Sequence, residues 1–221
     1  MNEQVTTLGS AGYGVSQQER NRVLRNTYWL LALSLIPTVL GAWLGVATGM
    51  TRALTGGVGL IVFMVGAFGF MFAIEKTKNS AAGVPVLLAF TFFMGLMLSR
   101  ILQVALGFSN GGSMIALAAG GTGAIFVTMA GIASVSKRDF TNMGKFLTVG
   151  LVVVLLAMVA NIFLQMPVLH LVISAAVVLL FSGYILYDIS NIVQGGETNY
   201  VTATLAVYLD VYNVFVSLLN L

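Results

Sequence analysis

Long apolar runs alternate with short polar linkers along almost the whole chain after residue 26. A bilayer core about 30 Å thick needs about 20 mostly apolar residues per helix. Short linkers between such segments favour antiparallel neighbours in one bundle. The pattern therefore predicts an all-α membrane protein with a single domain at 27–221. Its seven transmembrane helices are expected at residues 27–48, 53–74, 84–106, 113–135, 145–164, 168–187 and 201–221.

The composition narrows the class of protein further. Hydrophobic residues make up 58% of the chain and charged residues 8%, whereas soluble domains carry about 25% charged residues. The formal charge of +3 is therefore not the signature of a nucleic-acid-binding surface, and the expected surroundings are a lipid bilayer. The chain has no cysteine and a single histidine, His170, which excludes disulfides, thiol catalysis and a histidine-cluster metal site.

Basic residues indicate the orientation of the helices in the membrane. Residues 1–26 are mostly polar and are expected to form a flexible cytoplasmic tail. One set of alternate loops holds eight basic residues and the opposite set holds only Arg52. The positive-inside rule then places the N-terminus in the cytoplasm and, after seven spans, the C-terminus outside. The eight residues are Arg20, Arg22, Arg25, Lys76, Lys78, Lys137, Arg138 and Lys145.

Small residues recur on one face of the first predicted helix, at Gly41, Gly45 and Gly49. This spacing allows helix backbones to approach closely within a bilayer. Packing inside the bundle and a contact between two copies are both compatible with it, and the sequence leaves the oligomeric state open.

Two aspartates, Asp188 and Asp210, are the main candidates for chemistry because they fall within or beside apolar segments. A charged side chain at the centre of a helix costs about 2.5–3.5 kcal/mol on insertion scales. Asp188 is expected at the cytoplasmic end of the sixth segment, and Asp210 about 15 Å into the seventh. Two carboxylates that share a partly dry site titrate as one unit. The pair is thus a candidate pH sensor and a cation-attracting part of an ion pathway.

Other polar groups within the segments are candidate partners of this pair. Arg100 lies deep in the third segment, in the outer part of the bilayer, and Tyr184 shares a helical face with Asp188. Asn213 and Ser217 continue the face of Asp210. Simple hydrogen bonding between helices is the alternative interpretation of such groups.

A further hypothesis is a latch, meaning a basic side chain that closes the cytoplasmic end of the ion pathway by pairing with Asp188. Lys76 and Lys78 follow the second segment at the level predicted for Asp188, so either could pair with that carboxylate, and protonation would release it. The two lysines could equally be ordinary positive-inside anchors. A tight calcium site is not expected, because calcium takes six to eight oxygen ligands. Transient Ca²⁺ binding at Asp188 and Asp210 would suit a permeant ion.

The last sixty residues carry a specific resemblance. The stretches YDISNIVQGGETNY and YLDVYNVFVSLL, together with VANIFLQMPVLHLVISA, strongly resemble the Bax inhibitor-1/YccA family and its bacterial YccA branch. The resemblance implies that the C-terminal helix is central, with six helices around it. It also implies a di-aspartyl pH sensor at Asp188 and Asp210, as in calcium-leak members. Those members use an arginine latch after the second helix, where this chain has Lys76 and Lys78. For the YccA branch it implies a membrane partner and modulator of FtsH, a hexameric zinc-dependent AAA protease.

The functional expectation is a bacterial inner-membrane protein that is not an enzyme and holds no cofactor. It is expected to act as a pH-sensitive cation leak, with calcium as the permeant ion, gated by the two aspartates. The alternative is a modulator or binding partner of FtsH without transport activity. A membrane hydrolase is a third alternative, but the Gly-x-Gly-Asp context that resemblance to aspartyl intramembrane proteases would require is missing.

Overall fold

The computed structural model describes residues 15–49, 56–136 and 138–221, and its regular elements are helices. All seven long helices are long and apolar enough to cross a membrane, which confirms the predicted fold class. The predictions that concern residues 1–14, Arg52 and Lys137 lie outside the described residues. The helices are α1 (Gln17–Thr48), α2 (Gly56–Thr77), α3 (Gly83–Leu106), α4 (Gly111–Val135), α5 (Gly144–Leu164), α6 (Pro167–Gln194) and α7 (Tyr200–Leu219).

The first helix begins ten residues earlier than the apolar pattern predicts, at Gln17 instead of residue 27. Ser16 caps it, because its hydroxyl accepts a hydrogen bond of 3.2 Å from the backbone N–H of Glu19. Ser16 and Glu19 have the spacing of a capping box, a signal that starts a helix before its apolar part. Residues 17–26 are therefore helical, and the predicted tail is shorter by this stretch.

The sixth helix ends later than predicted, at Gln194 instead of residue 187. The apolar pattern is interrupted at Asp188, but the buried face of the helix continues through Ile185, Ile189 and Ile192. The helix ends at Gly195, whose φ of 83° is in the left-handed region that glycine adopts without strain. Asp188 thus lies inside α6 and not in the following linker.

The last helix occupies the centre of the bundle. Helix α7 packs against α1, α2, α3, α4 and α6, and its buried face includes Val207, Tyr208 and Val214. Helix α5 packs instead on the far side of α6. Helix α7 is therefore central, as predicted: five of the other helices pack closely on it, and α5 packs mainly on α6.

Glycines allow α1 and α3 to pack with their backbones close together. A Cβ atom on Gly41 would overlap the carbonyl oxygen of Phe92, and one on Gly95 would overlap that of Thr38. A Cβ on Gly45 would overlap the side chain of Ser99. The small residues of α1 therefore serve packing within the bundle, except Gly49, which ends α1 with a φ of 62°.

The loops that carry most basic residues gather at one end of the bundle. The side-chain amide of Asn199, before α7, donates a hydrogen bond of 3.2 Å to the carbonyl of Lys78, after α2. The backbone N–H of Phe140, between α4 and α5, donates to the hydroxyl of Ser190 at 3.1 Å. The first bond joins two alternate loops and the second joins a third loop to the last turns of α6, as expected for antiparallel helices that cross a membrane one after another.

Candidate functional site

The hairpin of α6 and α7 brings the two aspartates together. Asp188 lies six residues before the end of α6, and Asp210 lies ten residues after the start of α7. At 1.5 Å per residue these positions are about 9 and 15 Å from the same end of the hairpin. The two carboxyl groups lie within hydrogen-bonding reach of each other. Asp210 thus lies about 6 Å deeper than Asp188, and the two groups form one site because α6 extends beyond Asp188.

The carboxyl pair is buried without a compensating positive charge. Asp210 is only 5% exposed, and Asp188 is half-buried. Asp210 Oδ2 is buried and accepts no hydrogen bond from a donor group; among the described residues only Thr27 Oγ1 shares this condition. The only ion pair in the described part of the chain joins Lys78 to Glu75. Two ionised carboxylates here would repel each other strongly, since the surroundings are poorly solvated.

Tyr184 is the predicted partner that the structure places at the pair. It lies one turn before Asp188 on α6, close to both carboxyl groups and beside Thr148 of α5. Its ring packs at 5.6 Å from that of Phe181 and edge-on at 6.4 Å from that of Tyr187, measured between centroids. The aromatic rings of α6 thus surround Tyr184 on the side of the site that faces α5.

The predicted lysine latch is not present in this structure. Lys78 pairs with Glu75, three residues before it, and Lys76 lies 5.4 Å from the centroid of the Phe72 ring. Both contacts are local, and α2 packs mainly on α3 and also contacts α7. Neither lysine therefore closes the site by pairing with Asp188.

The remaining predicted partners lie away from the carboxyl pair. Arg100 is exposed on α3, and no ion pair within the described ranges includes it. The side-chain amide of Asn213 donates a hydrogen bond of 2.7 Å to the carbonyl of Leu209 in its own helix. Ser217 is buried on the same helix. Arg100 is therefore not a partner of the carboxyl pair in this structure, and the side chain of Asn213 bonds within its own helix.

Tyr208 and Tyr212 were not singled out from the sequence, although they fix the position of the helix that carries Asp210. The Tyr208 hydroxyl lies 2.9 Å from Thr38 Oγ1 and 3.5 Å from the carbonyl oxygen of Thr91, and the Tyr212 hydroxyl donates to the carbonyl of Met94 at 3.4 Å. Tyr208 and Tyr212 are four residues apart, and each lies two residues from Asp210, so both tyrosines face away from the carboxyl pair. The four-residue spacing of two tyrosines in an apolar helix is the signal that could have revealed them.

Comparisons with known proteins identify the family of this chain. Residues 20–221 match the family described as "Inhibitor of apoptosis-promoting Bax1". The chain is 44% identical to "Modulator of FtsH protease YccA" of Escherichia coli strain K12, over 91% of this chain and 89% of that protein. It is equally similar to "Inner membrane protein YccA" of Escherichia coli O6:H1. It is 39% identical to a Vibrio cholerae membrane protein, over 92% of this chain and 89% of that one. The chain therefore belongs to the Bax inhibitor-1 family, on its bacterial, YccA-like branch.

Proposed function

We propose that this chain is an inner-membrane modulator of an FtsH-type protease and acts by binding, without chemistry of its own. The observation that carries the proposal is the 44% identity, over nine-tenths of both chains, to a relative named as such a modulator. A second relative is named as an inner-membrane protein. The seven apolar helices suit a partner that meets the protease within the bilayer.

The proposed handle, meaning the segment that the protease binds, is residues 1–14, which precede α1. Residues 1–14 are polar and rich in Gly, Ser and Thr, and the first helix begins only at Gln17. A AAA protease engages its substrates at unstructured ends. The polar composition of residues 1–14 suits this role, and the positive-inside rule places them on the cytoplasmic side.

Deletion of residues 2–14 tests this proposal. We expect the shortened chain to lose co-purification with FtsH and to be degraded more slowly. A chain with an unrelated Gly/Ser-rich segment of equal length should still co-purify with FtsH and be degraded at the original rate. If the deletion leaves association and turnover unchanged, the segment is not the handle. If the full chain neither binds FtsH nor changes its proteolytic activity, the proposed function is wrong.

A second function, a pH-sensitive cation leak, is favoured by the contact between Asp188 and Asp210. A proton held between the two carboxyls would satisfy the buried Oδ2 of Asp210 and remove the repulsion between like charges. Loss of that proton would leave two negative charges that attract a cation. A cation and a proton would then compete for one place.

Calcium is the proposed permeant ion, and it would be held weakly. The pair offers four carboxylate oxygens, fewer than the six to eight that a tight calcium site uses. Weak binding suits conduction, because the ion must also leave the site. Both functions are compatible in one molecule, since the proposed handle precedes α1 and the carboxyl pair lies within the bundle.

Calcium flux into proteoliposomes tests the leak directly. We expect flux through the wild-type chain to depend on pH, and flux through Asp188→Asn or Asp210→Asn to be independent of pH. Asn213→Asp places an acid one turn away on α7 and serves as a control for the position of the pair. A pH dependence that survives in both asparagine variants, or no flux at all, would contradict the leak.

A further inference from the structure

A groove of about 690 Å³ runs between α1 and α4, with α7 as its floor. Its rims include Leu35, Val39 and Val127, which are all exposed. The floor includes the rings of Tyr208 and Tyr212, whose hydroxyls bond to α1 and α3. The groove therefore presents an almost wholly apolar interior to the surrounding lipid and is separate from the carboxyl pair.

The groove is about as long as one membrane leaflet on α1 and somewhat longer on α4, where its lining runs from Ala119 to Ser134, about 22 Å at 1.5 Å per residue. Its lining on α1 runs from Tyr28 to Val39, a rise of about 17 Å at 1.5 Å per residue. Half of a typical hydrocarbon core is about 15 Å. At the end nearer the start of α1, Tyr28 reaches across to α4, with its hydroxyl 3.2 Å from Ser134 Oγ and its ring centroid 6.1 Å from that of Phe126. The groove thus lies in the leaflet next to the basic loops.

Two arginines flank this end of the groove. Arg25 is exposed on α1, one turn before Tyr28, and Arg138 is exposed just after the end of α4. Neither belongs to an ion pair in the described part of the chain. The neighbouring Asp139 accepts hydrogen bonds from the hydroxyl and backbone N–H of Thr141, which lower the pKa of its carboxyl. The Asp139 carboxylate therefore points toward Thr141, just before the start of α5.

We propose that this groove binds an acyl chain of an anionic phospholipid, whose phosphate is held by Arg25 and Arg138. An apolar groove open to the bilayer is filled by a lipid chain, and its leaflet length fits one tail. The guanidinium fork matches phosphate geometry, and basic sites between transmembrane helices on the cytoplasmic side bind acidic headgroups. The charge at the mouth is what selects an anionic lipid over a neutral one.

Glycines in the groove allow a precise blocking variant. Gly123 lines the groove, and a Cβ atom built on it meets nothing within 4 Å. Gly123→Phe should therefore fill the groove without displacing the backbone. Gly69 on α2 also has no atom within 4 Å of its Cβ position and does not line the groove. Gly69→Phe is thus a matched control for the change in helix propensity and side-chain volume.

The test uses the full chain reconstituted in vesicles of equal parts phosphatidylglycerol and phosphatidylcholine, followed by native mass spectrometry of retained lipid. Wild type and Gly69→Phe should retain phosphatidylglycerol in preference to phosphatidylcholine, and Gly123→Phe should lose that lipid. Arg25→Gln should reduce the preference about fivefold, the equivalent of about 1 kcal/mol for one basic residue at the membrane surface. Circular dichroism checks that each variant keeps its helices.

Three outcomes would overturn the proposal. Equal retention of the two lipids by the wild type would mean that only ordinary boundary lipid is present. Unchanged retention in Gly123→Phe, or in Arg25→Gln, would place the lipid elsewhere. Loss of a dimer in Gly123→Phe, with lipid retention unchanged, would assign the groove to a second copy of the chain.

Discussion

The hydroxyl of Tyr208 joins the central helix to α1 through its contact with Thr38 Oγ1 at 2.9 Å. Tyr208 is 2% exposed, so no water replaces this partner when the hydroxyl is removed. Such a hydrogen bond contributes about 1 kcal/mol net to stability. Its position opposite Asp210 means that it fixes the helix that carries the functional pair.

Tyr208→Phe should therefore lower the free energy of unfolding by about 1 kcal/mol. Tyr212→Phe should cost less, because the bond from Tyr212 to the Met94 carbonyl is longer, at 3.4 Å. Unfolding in mixed detergent micelles, followed by circular dichroism, measures both variants on the same helix. Equal losses in the free energy of unfolding would show that the bond to Thr38 contributes no more to stability than the longer bond to Met94.

At the scale of elements, the contact between α1 and α3 depends on glycine. A side chain on Gly95 meets the backbone of Thr38, which cannot move without shifting α1. Overpacking of a close contact lowers stability by about 1–3 kcal/mol. The loss at Gly95 should be at the upper end of this range, because the atoms it would meet belong to the backbone and cannot move aside. Gly69 lies in open space on α2, where alanine only raises helix propensity.

Gly95→Ala should accordingly destabilise the bundle by about 3 kcal/mol, whereas Gly69→Ala should leave it unchanged or stabilise it by about 0.5–1 kcal/mol. The same unfolding measurement distinguishes the two signs. A neutral effect at Gly95 would mean that α1 and α3 are not held as close together as the structure has them.

At the scale of the whole molecule, the basic loops predict the orientation in the membrane. Ser80, in the turn between α2 and α3, and Ser109, between α3 and α4, are both exposed at opposite ends of α3. The chain has no cysteine, so each serine can be replaced by a unique one. Ser109→Cys should react with a membrane-impermeant maleimide in intact spheroplasts, and Ser80→Cys should react only after lysis. The reverse labelling would invert the assigned orientation.

The seven helices were predictable because apolar length decides what spans a bilayer, but their ends were not. Ser16 and Gly195 set the true ends of α1 and α6, and both act through local capping. The carboxyl pair was predictable because charge at membrane depth is costly. Lys78 was misassigned because its nearest acid, Glu75, is on its own helix. Tyr208 was missed because its partner on α1 is 170 residues away in sequence.

The proposed pH-sensitive leak requires that Asp188 and Asp210 hold one proton between them and respond to pH as a unit. Infrared difference spectra of the reconstituted chain, recorded between acidic and alkaline buffer, observe the carbonyl band of a protonated carboxyl directly. We expect one such band that titrates in the wild type and is lost in both Asp188→Asn and Asp210→Asn, where an amide can donate to the remaining carboxylate. A band unchanged in both variants, or none in the wild type, would contradict it.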